Sequence, residues 1–149
     1  MCAGWCSDSA EHGVAMVRSN GQNQMSKPLR LLIVDDSMAF REELSNLLSD
    51  EPHIEKIWKA SHGLEALCLA EKHKPDVVLL DQNMPGLTGA EVARRVKAAN
   101  SKTLIFFVSA DPESKELAIA AGAEAFFEKG VDTASLFQTL RDIPLRSAS

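Results

Sequence analysis

At 149 residues, with 45% hydrophobic and 25% charged residues, the chain has apolar material for one domain with a core of its own. A net charge of −5 excludes a general attraction to nucleic acid or anionic membrane. No apolar run approaches the ~18 residues that span a bilayer, and no charged segment leading into an apolar one opens the chain as in a secretory leader.

Residues 1–27 carry Gly, Ser, Asn and Gln without a sustained apolar period. Ser19 Asn20 Gly21 Gln22 Asn23 Gln24 reads as linker, and this stretch is expected to be a disordered N-terminal extension. Met25 stands just before the first structured residues and is a possible alternative start. The cysteines, Cys2, Cys6 and Cys68, are odd in number and lack framework spacing, so they read as free thiols in a reducing compartment.

From Pro28 the chain alternates strand and helix. Leu29–Val34 is a continuous apolar run, the mark of a strand buried on both faces. Phe40, Leu44, Leu47 and Leu48 follow with helical spacing. Ile54–Ala60 is a strand of mixed polarity that suits a sheet edge, and Leu64–His73 is a helix stopped before Lys74 Pro75. Val77–Leu80 is the third strand. Thr88 with Glu91 makes a capping box that opens a helix with Val92, Ala93 and Val96 inward. Thr103–Val108 is the fourth strand. Asp111 Pro112 starts a helix with proline in its first turn, and Gly122 closes it with a left-handed residue. Ala125–Glu128 is a short fifth strand. Leu136, Phe137, Leu140 and Ile143 mark the last helix, with Pro144 beyond it.

Five such units with short connections and right-handed crossovers form a doubly wound parallel α/β sheet with helices on both faces. Ligands bind such sheets outside the carboxyl ends of the strands. At those ends stand Asp35 and Asp36, Asp81, Ser109 and Lys129. Taken singly, each has a plain structural explanation: a helix cap for Asp35 and Asp36, a turn before Met84 Pro85 Gly86 for Asp81, a loop hydroxyl, a surface lysine. That all stand at strand ends is poorly explained that way. Three carboxylates held together repel one another unless a cation joins them. A hard divalent ion, Mg²⁺ or Mn²⁺, suits an all-oxygen donor set. A carboxylate beside such a cation can be a nucleophile toward phosphorus, with a lysine and a hydroxyl to receive the phosphoryl oxygens.

The motifs Val34 Asp35 Asp36 Ser37, Leu80 Asp81 Gln82 Asn83 Met84 Pro85 Gly86, Val108 Ser109 Ala110, Gly122 Ala123 and Phe127 Glu128 Lys129 together resemble the receiver domain of two-component response regulators, over Pro28–Ile143. The resemblance implies a flavodoxin-like five-stranded parallel sheet of order 2-1-3-4-5. The receiver would span 28–144, leaving a short tail, 145–149. It implies a phospho-switch that catalyses only its own phosphorylation and dephosphorylation. Asp81 would be the phosphoacceptor, with a sensor histidine kinase or histidine phosphotransfer protein as donor. Asp36, Asp81 and the Asn83 backbone carbonyl would ligate the metal, with Asp35 acting through a water. Ser109, Ala110 and Lys129 would contact the phosphoryl group. Phe126 occupies the switch position, and Asn83 and Asp111 occupy positions that tune phosphate lifetime. The output is a downstream protein bound by the face of the fourth and fifth helices, without direct nucleic-acid or membrane binding. The protein would be cytoplasmic, a monomer or a weak phosphorylation-dependent dimer. A phosphorelay intermediate, or a receiver separated from a larger regulator, is compatible with the same residues.

Three features depart from the family pattern. Gly130 follows the lysine where proline is usual. The switch aromatic is Phe126, not Tyr, in a chain with no Tyr at all. The N-terminal extension is extra. A phosphatase of the haloacid dehalogenase type fits less well, because Asp35 and Asp36 are adjacent and the length leaves no room for a cap domain. An interaction module without phosphorylation is disfavoured by the intact acids, Ser109 and Lys129.

Overall fold

The computed structural model describes residues 28–143. The expected extension, the tail and Pro144 lie outside them, as do Cys2 and Cys6. In chain order the elements are β1 (Leu29–Val34), α1 (Met38–Leu48), β2 (Ile54–Ala60), α2 (Gly63–His73), β3 (Val77–Leu80), α3 (Gly89–Ala99), β4 (Leu104–Ser109), α4 (Lys115–Ala120), β5 (Ala125–Glu128) and α5 (Thr133–Asp142). A single 3₁₀ turn, Pro112–Ser114, precedes α4. The sheet is parallel throughout, in the order β2-β1-β3-β4-β5.

Alternation of side chains along the central strands builds two cores from each apolar run. Leu32, Val34, Val78, Leu80, Ile105 and Phe107 point to one face, against Leu69 of α2, Val92 and Val96 of α3 and Ala118 of α4. Leu31, Ile33, Val77, Leu79, Phe106 and Val108 point to the other, against Leu44 and Leu48 of α1 and Leu136 and Leu140 of α5. Strands covered on both faces have no polar positions to spare, which is why β1, β3 and β4 read as unbroken apolar runs. β2, at the sheet edge, is only half-buried, as its mixed sequence foretells.

Local signals set most of the boundaries. The Ser37 hydroxyl accepts the Phe40 N–H at 3.3 Å and opens α1. The Thr88 hydroxyl accepts the Glu91 N–H at 3.2 Å and opens α3. Gly122 sits at φ +101 just past α4, as expected of a left-handed closure. α2 runs to His73 and stops before Lys74 Pro75, as its sequence implies; its cap, Lys74, is itself left-handed at φ 48, so a non-glycine residue takes the strained position ahead of Pro75. One detail differs from the sequence reading. The helix expected from Pro112 is instead a 3₁₀ turn followed by a six-residue α4. There the Asp111 carboxylate accepts the Glu113 N–H at 3.0 Å, closing a tight first turn around the proline.

Cys68, expected as a free thiol, is disulfide-bonded. Spacing along the chain says little about which thiols meet, because pairing depends on proximity in the fold.

Candidate functional site

The carboxyl ends of β1, β3, β4 and β5 carry the polar residues singled out in the sequence. Asp35 follows β1 and Asp81 follows β3. The Asp81 N–H donates to the Val34 carbonyl at 3.0 Å and the Asp35 N–H to the Ala60 carbonyl at 3.1 Å. The sheet's hydrogen bonding therefore continues up to the acids and fixes their backbones. Asp35 and Asp81 are buried and Asp36 is exposed. One carboxylate oxygen from each lies within 4.8 Å of the other two.

Asp35 and Asp36 do not cap α1; Ser37 does. The Asp35 Oδ1 accepts the Ser37 N–H at 2.8 Å, while its Oδ2 lies 2.7 Å from the Lys129 Nζ. The Arg41 guanidinium donates to the Asp35 carbonyl at 2.8 Å and ties α1 to the strand end. The Lys129 Nζ is 3.8 Å from the Asp81 Oδ2 and lies over the Phe40 ring, 4.5 Å from its centroid. Burial, the neighbouring Asp35 charge and, more weakly, Asp36 push the Asp81 carboxyl from 3.8 up to about 6. Lys129 and a hydrogen bond from the Asn83 N–H oppose the rise without cancelling it. One ammonium thus does not balance three acids. The all-oxygen donors and the surplus negative charge fit a hard divalent cation.

The loop after Asp81 is fastened by residues the sequence reading passed over. Gln82 is buried. Its side-chain Oε1 accepts the Ala90 N–H at 2.8 Å and its carbonyl accepts the Gly89 N–H at 3.0 Å, so α3 begins directly against this loop. A Cβ at Gly89 would run into the Asp81 carbonyl oxygen and come within 2.8 Å of the Gln82 Cα. Only glycine permits that approach. The signal available was a glycine at a helix start two residues after a turn, which marks close backbone contact as readily as flexibility.

Ser109 ends β4 with no exposed surface. Its hydroxyl accepts the Asp111 N–H at 3.1 Å, and its carbonyl accepts the Lys129 N–H at 2.9 Å, linking the β4 end to the lysine. The Asp111 carboxylate is engaged with the Glu113 N–H. Phe126 pairs in register with Phe107 on β4 and is half-buried against the core that includes Ala118 of α4. Phe127 points the other way, edge-on to Phe106 at 5.8 Å. Gly130 is at φ +78 with nothing within 4 Å of where a Cβ would stand, so the turn after Lys129 takes a left-handed glycine where the family has proline. The Val131 and Asp132 N–H groups both donate to the Glu128 carbonyl, and the Asp132 carboxylate accepts the Glu128 N–H at 2.8 Å, bracing that turn.

The profile of the response regulator receiver domain matches residues 31–141. The chain belongs to the response regulator receiver family. The chain is 32% identical over 116 residues to the nitrate/nitrite response regulator NarL of Escherichia coli K12, covering 76% of this chain and 54% of that protein. It is 39% identical over 105 residues to a protein-glutamate methylesterase/protein-glutamine glutaminase of Methanospirillum hungatei, covering 68% of this chain and 31% of that protein. The receiver therefore spans only about a third to a half of these relatives. Among solved structures, the Vibrio cholerae chemotaxis protein CheY4 superposes with a TM-score of 0.70 at 31% identity, over 78% of this chain and 99% of that one. The BeF₃-activated DrrB receiver domain, at 22% identity and a TM-score of 0.67, shares the fold.

Membership places residues 31–141 in a family of phosphorylation switches of two-component signal transduction. The receiver's acidic triad of Asp35, Asp36 and Asp81 is consistent with the family's Mg²⁺ site, and receivers partner histidine kinases. Among the described residues no helix is long and apolar enough to cross a membrane.

Proposed function

We propose that this receiver takes a phosphoryl group onto Asp81 from the phosphohistidine of a sensor kinase or histidine phosphotransfer protein, and that the modification reshapes its α4-β5-α5 face for a protein partner. An Asp81 carboxylate oxygen bonds to phosphorus as the P–N bond breaks. The electron pair of that bond stays on the imidazole, which takes up a proton. Asp36, Asp81 and the Asn83 carbonyl would hold Mg²⁺ or Mn²⁺, with Asp35 acting through a water. The bound cation would neutralise charge on the transferring group. Lys129 binds a phosphoryl oxygen, and the Ser109 hydroxyl and Ala110 N–H bind the others.

The observation that carries this reading is the meeting of the three carboxylates within 4.8 Å, with the Lys129 ammonium 2.7 Å from Asp35. Toward the phosphoryl group Ser109 gives up its bond to the Asp111 N–H, which frees the loop ahead of α4. Phe126, half-buried beside α4, moves inward in response, so that phosphate biases an existing two-state equilibrium. Leu117 and Ile119 are 49% and 57% exposed on α4, apolar surface suited to a partner or a weak second copy. Asn83 and Asp111 border the phosphorus and set how readily water removes it. Residues 28–144 are the receiver, 1–27 an extension and 145–149 a tail, in a cytoplasmic setting. Because the chain spans about half of NarL, a receiver belonging to a larger regulator is the second reading.

The test is intact mass after incubation with Mg²⁺ and acetyl phosphate, for wild type and Asp81→Asn. A phosphoryl adduct on wild type alone is expected. An adduct on neither, with both folded, would refute the assignment of Asp81.

A further inference from the structure

We infer that Phe40 is a positioning residue for phosphoryl transfer: its ring holds the Lys129 ammonium at the mouth of the acidic site. The inference rests on the reading of Asp81 as phosphoacceptor and adds a residue to it. Lys129 carries its ammonium on four rotatable carbons and is followed by Gly130, at φ +78 with nothing within 4 Å of where a Cβ would stand. Three neighbours hold its Nζ: Asp35 at 2.7 Å, Asp81 at 3.8 Å and the Phe40 ring at 4.5 Å from the centroid.

The three differ in what happens during the reaction. A divalent cation competes with the ammonium for both carboxylates, and phosphorylation converts Asp81 into a different group. The ring is neutral and is changed by neither event. It therefore still holds the ammonium when the carboxylates are engaged elsewhere. Its attraction is electrostatic, of the ring's negative face for the cation, and is strongest where water is scarce. Lys129 has a side chain only 18% exposed. The ring itself is fixed. Phe40 lies in the first turn of α1, its N–H accepted by Ser37, and its side chain packs against the core shared by α1 and α5.

The experiment measures the rate constant for phosphorylation by phosphoramidate at saturating Mg²⁺, on the full chain, by intact mass. The variants are Phe40→Tyr, Phe40→Leu and Phe40→Met, each also combined with Lys129→Met. Tyr keeps the ring; Leu and Met fill the space without one, and Met serves if Leu fails to fold. Loss of the ring is expected to slow phosphorylation about fivefold, the size of a partly desolvated cation–π contact, with Tyr within about twofold of wild type. In the Lys129→Met background the same substitutions should change the rate less than about twofold, because the group they act through is gone. Equal losses for Tyr, Leu and Met, no loss for Leu and Met, or an undiminished loss without Lys129 would each overturn the inference while leaving Asp81 as acceptor. A wild type that accepts no phosphoryl group would instead overturn the function proposed for Asp81, and this inference with it.

Discussion

Asp81→Asn should stabilise the metal-free protein at neutral pH and much less in acid. The carboxyl of Asp81 is nearly isosteric with the amide, so the substitution removes charge with little change in volume. In the folded state burial and the Asp35 charge raise its pKa from 3.8 to about 6. A raised folded pKa means that the native state disfavours the ionised form. The resulting penalty is absent below about pH 4, grows between about 4 and 6, and is complete above 6. A difference of just over two pH units at 1.36 kcal/mol each amounts to about 3 kcal/mol at pH 7.5, and the same linkage leaves about 1 kcal/mol at pH 4.5. Lys129 keeps its closer partner, Asp35 at 2.7 Å, so the substitution does not strand a buried cation. The assay is urea denaturation in EDTA at pH 7.5 and 4.5, comparing midpoints at constant slope. A destabilised Asp81→Asn at pH 7.5, or a gain that does not depend on pH, would refute the view that crowded, buried acids dominate this site.

Two further outcomes follow from the same geometry. Saturating Mg²⁺ should raise the stability of wild type by about 2.7 kcal/mol at a hundredfold excess over its dissociation constant. Asp81→Asn should gain markedly less; equal gains in both proteins would place the ion elsewhere. Gly89→Ala sets helix propensity against packing. Propensity alone predicts a gain of up to about 1 kcal/mol, but the new Cβ meets the Asp81 carbonyl and the Gln82 Cα, both backbone. A loss of about 1–3 kcal/mol, together with slower phosphorylation, is therefore expected in denaturation and adduct-rate measurements. A stabilised variant would show that the loop after Asp81 gives way easily.

The motifs that identify the site are local and so were legible in one dimension. A strand buried on both faces needs an unbroken apolar run, and its end is marked by the first polar residue, which is how Asp35, Asp81 and Ser109 declared a common edge, with Lys129 just past Glu128 at the end of β5. Capping by Thr88 and the left-handed Gly122 are likewise short-range, because each closes within a few residues; the cap of α1 was read onto Asp35 and Asp36, whereas Ser37 supplies it. The 3₁₀ turn after Asp111 was missed for a related reason: a proline and an acid are compatible with either helix, and the carboxylate's grip on Glu113 decides between them.

The chain by itself determined the α/β alternation, the edge at which chemistry gathers and the identity of the acids, since all three follow from periodicity and residue type. Only the tertiary structure decided how those groups interact. Lys129 reaches Asp35 across 94 positions of sequence, Phe40 meets that lysine from another helix, and Gln82 and Gly89 lock the loop of Asp81 against α3. The elevated Asp81 pKa belongs to the same class. Each depends on distance and burial between segments far apart in the chain, and electrostatic energy and packing follow separation in space, which no local pattern encodes.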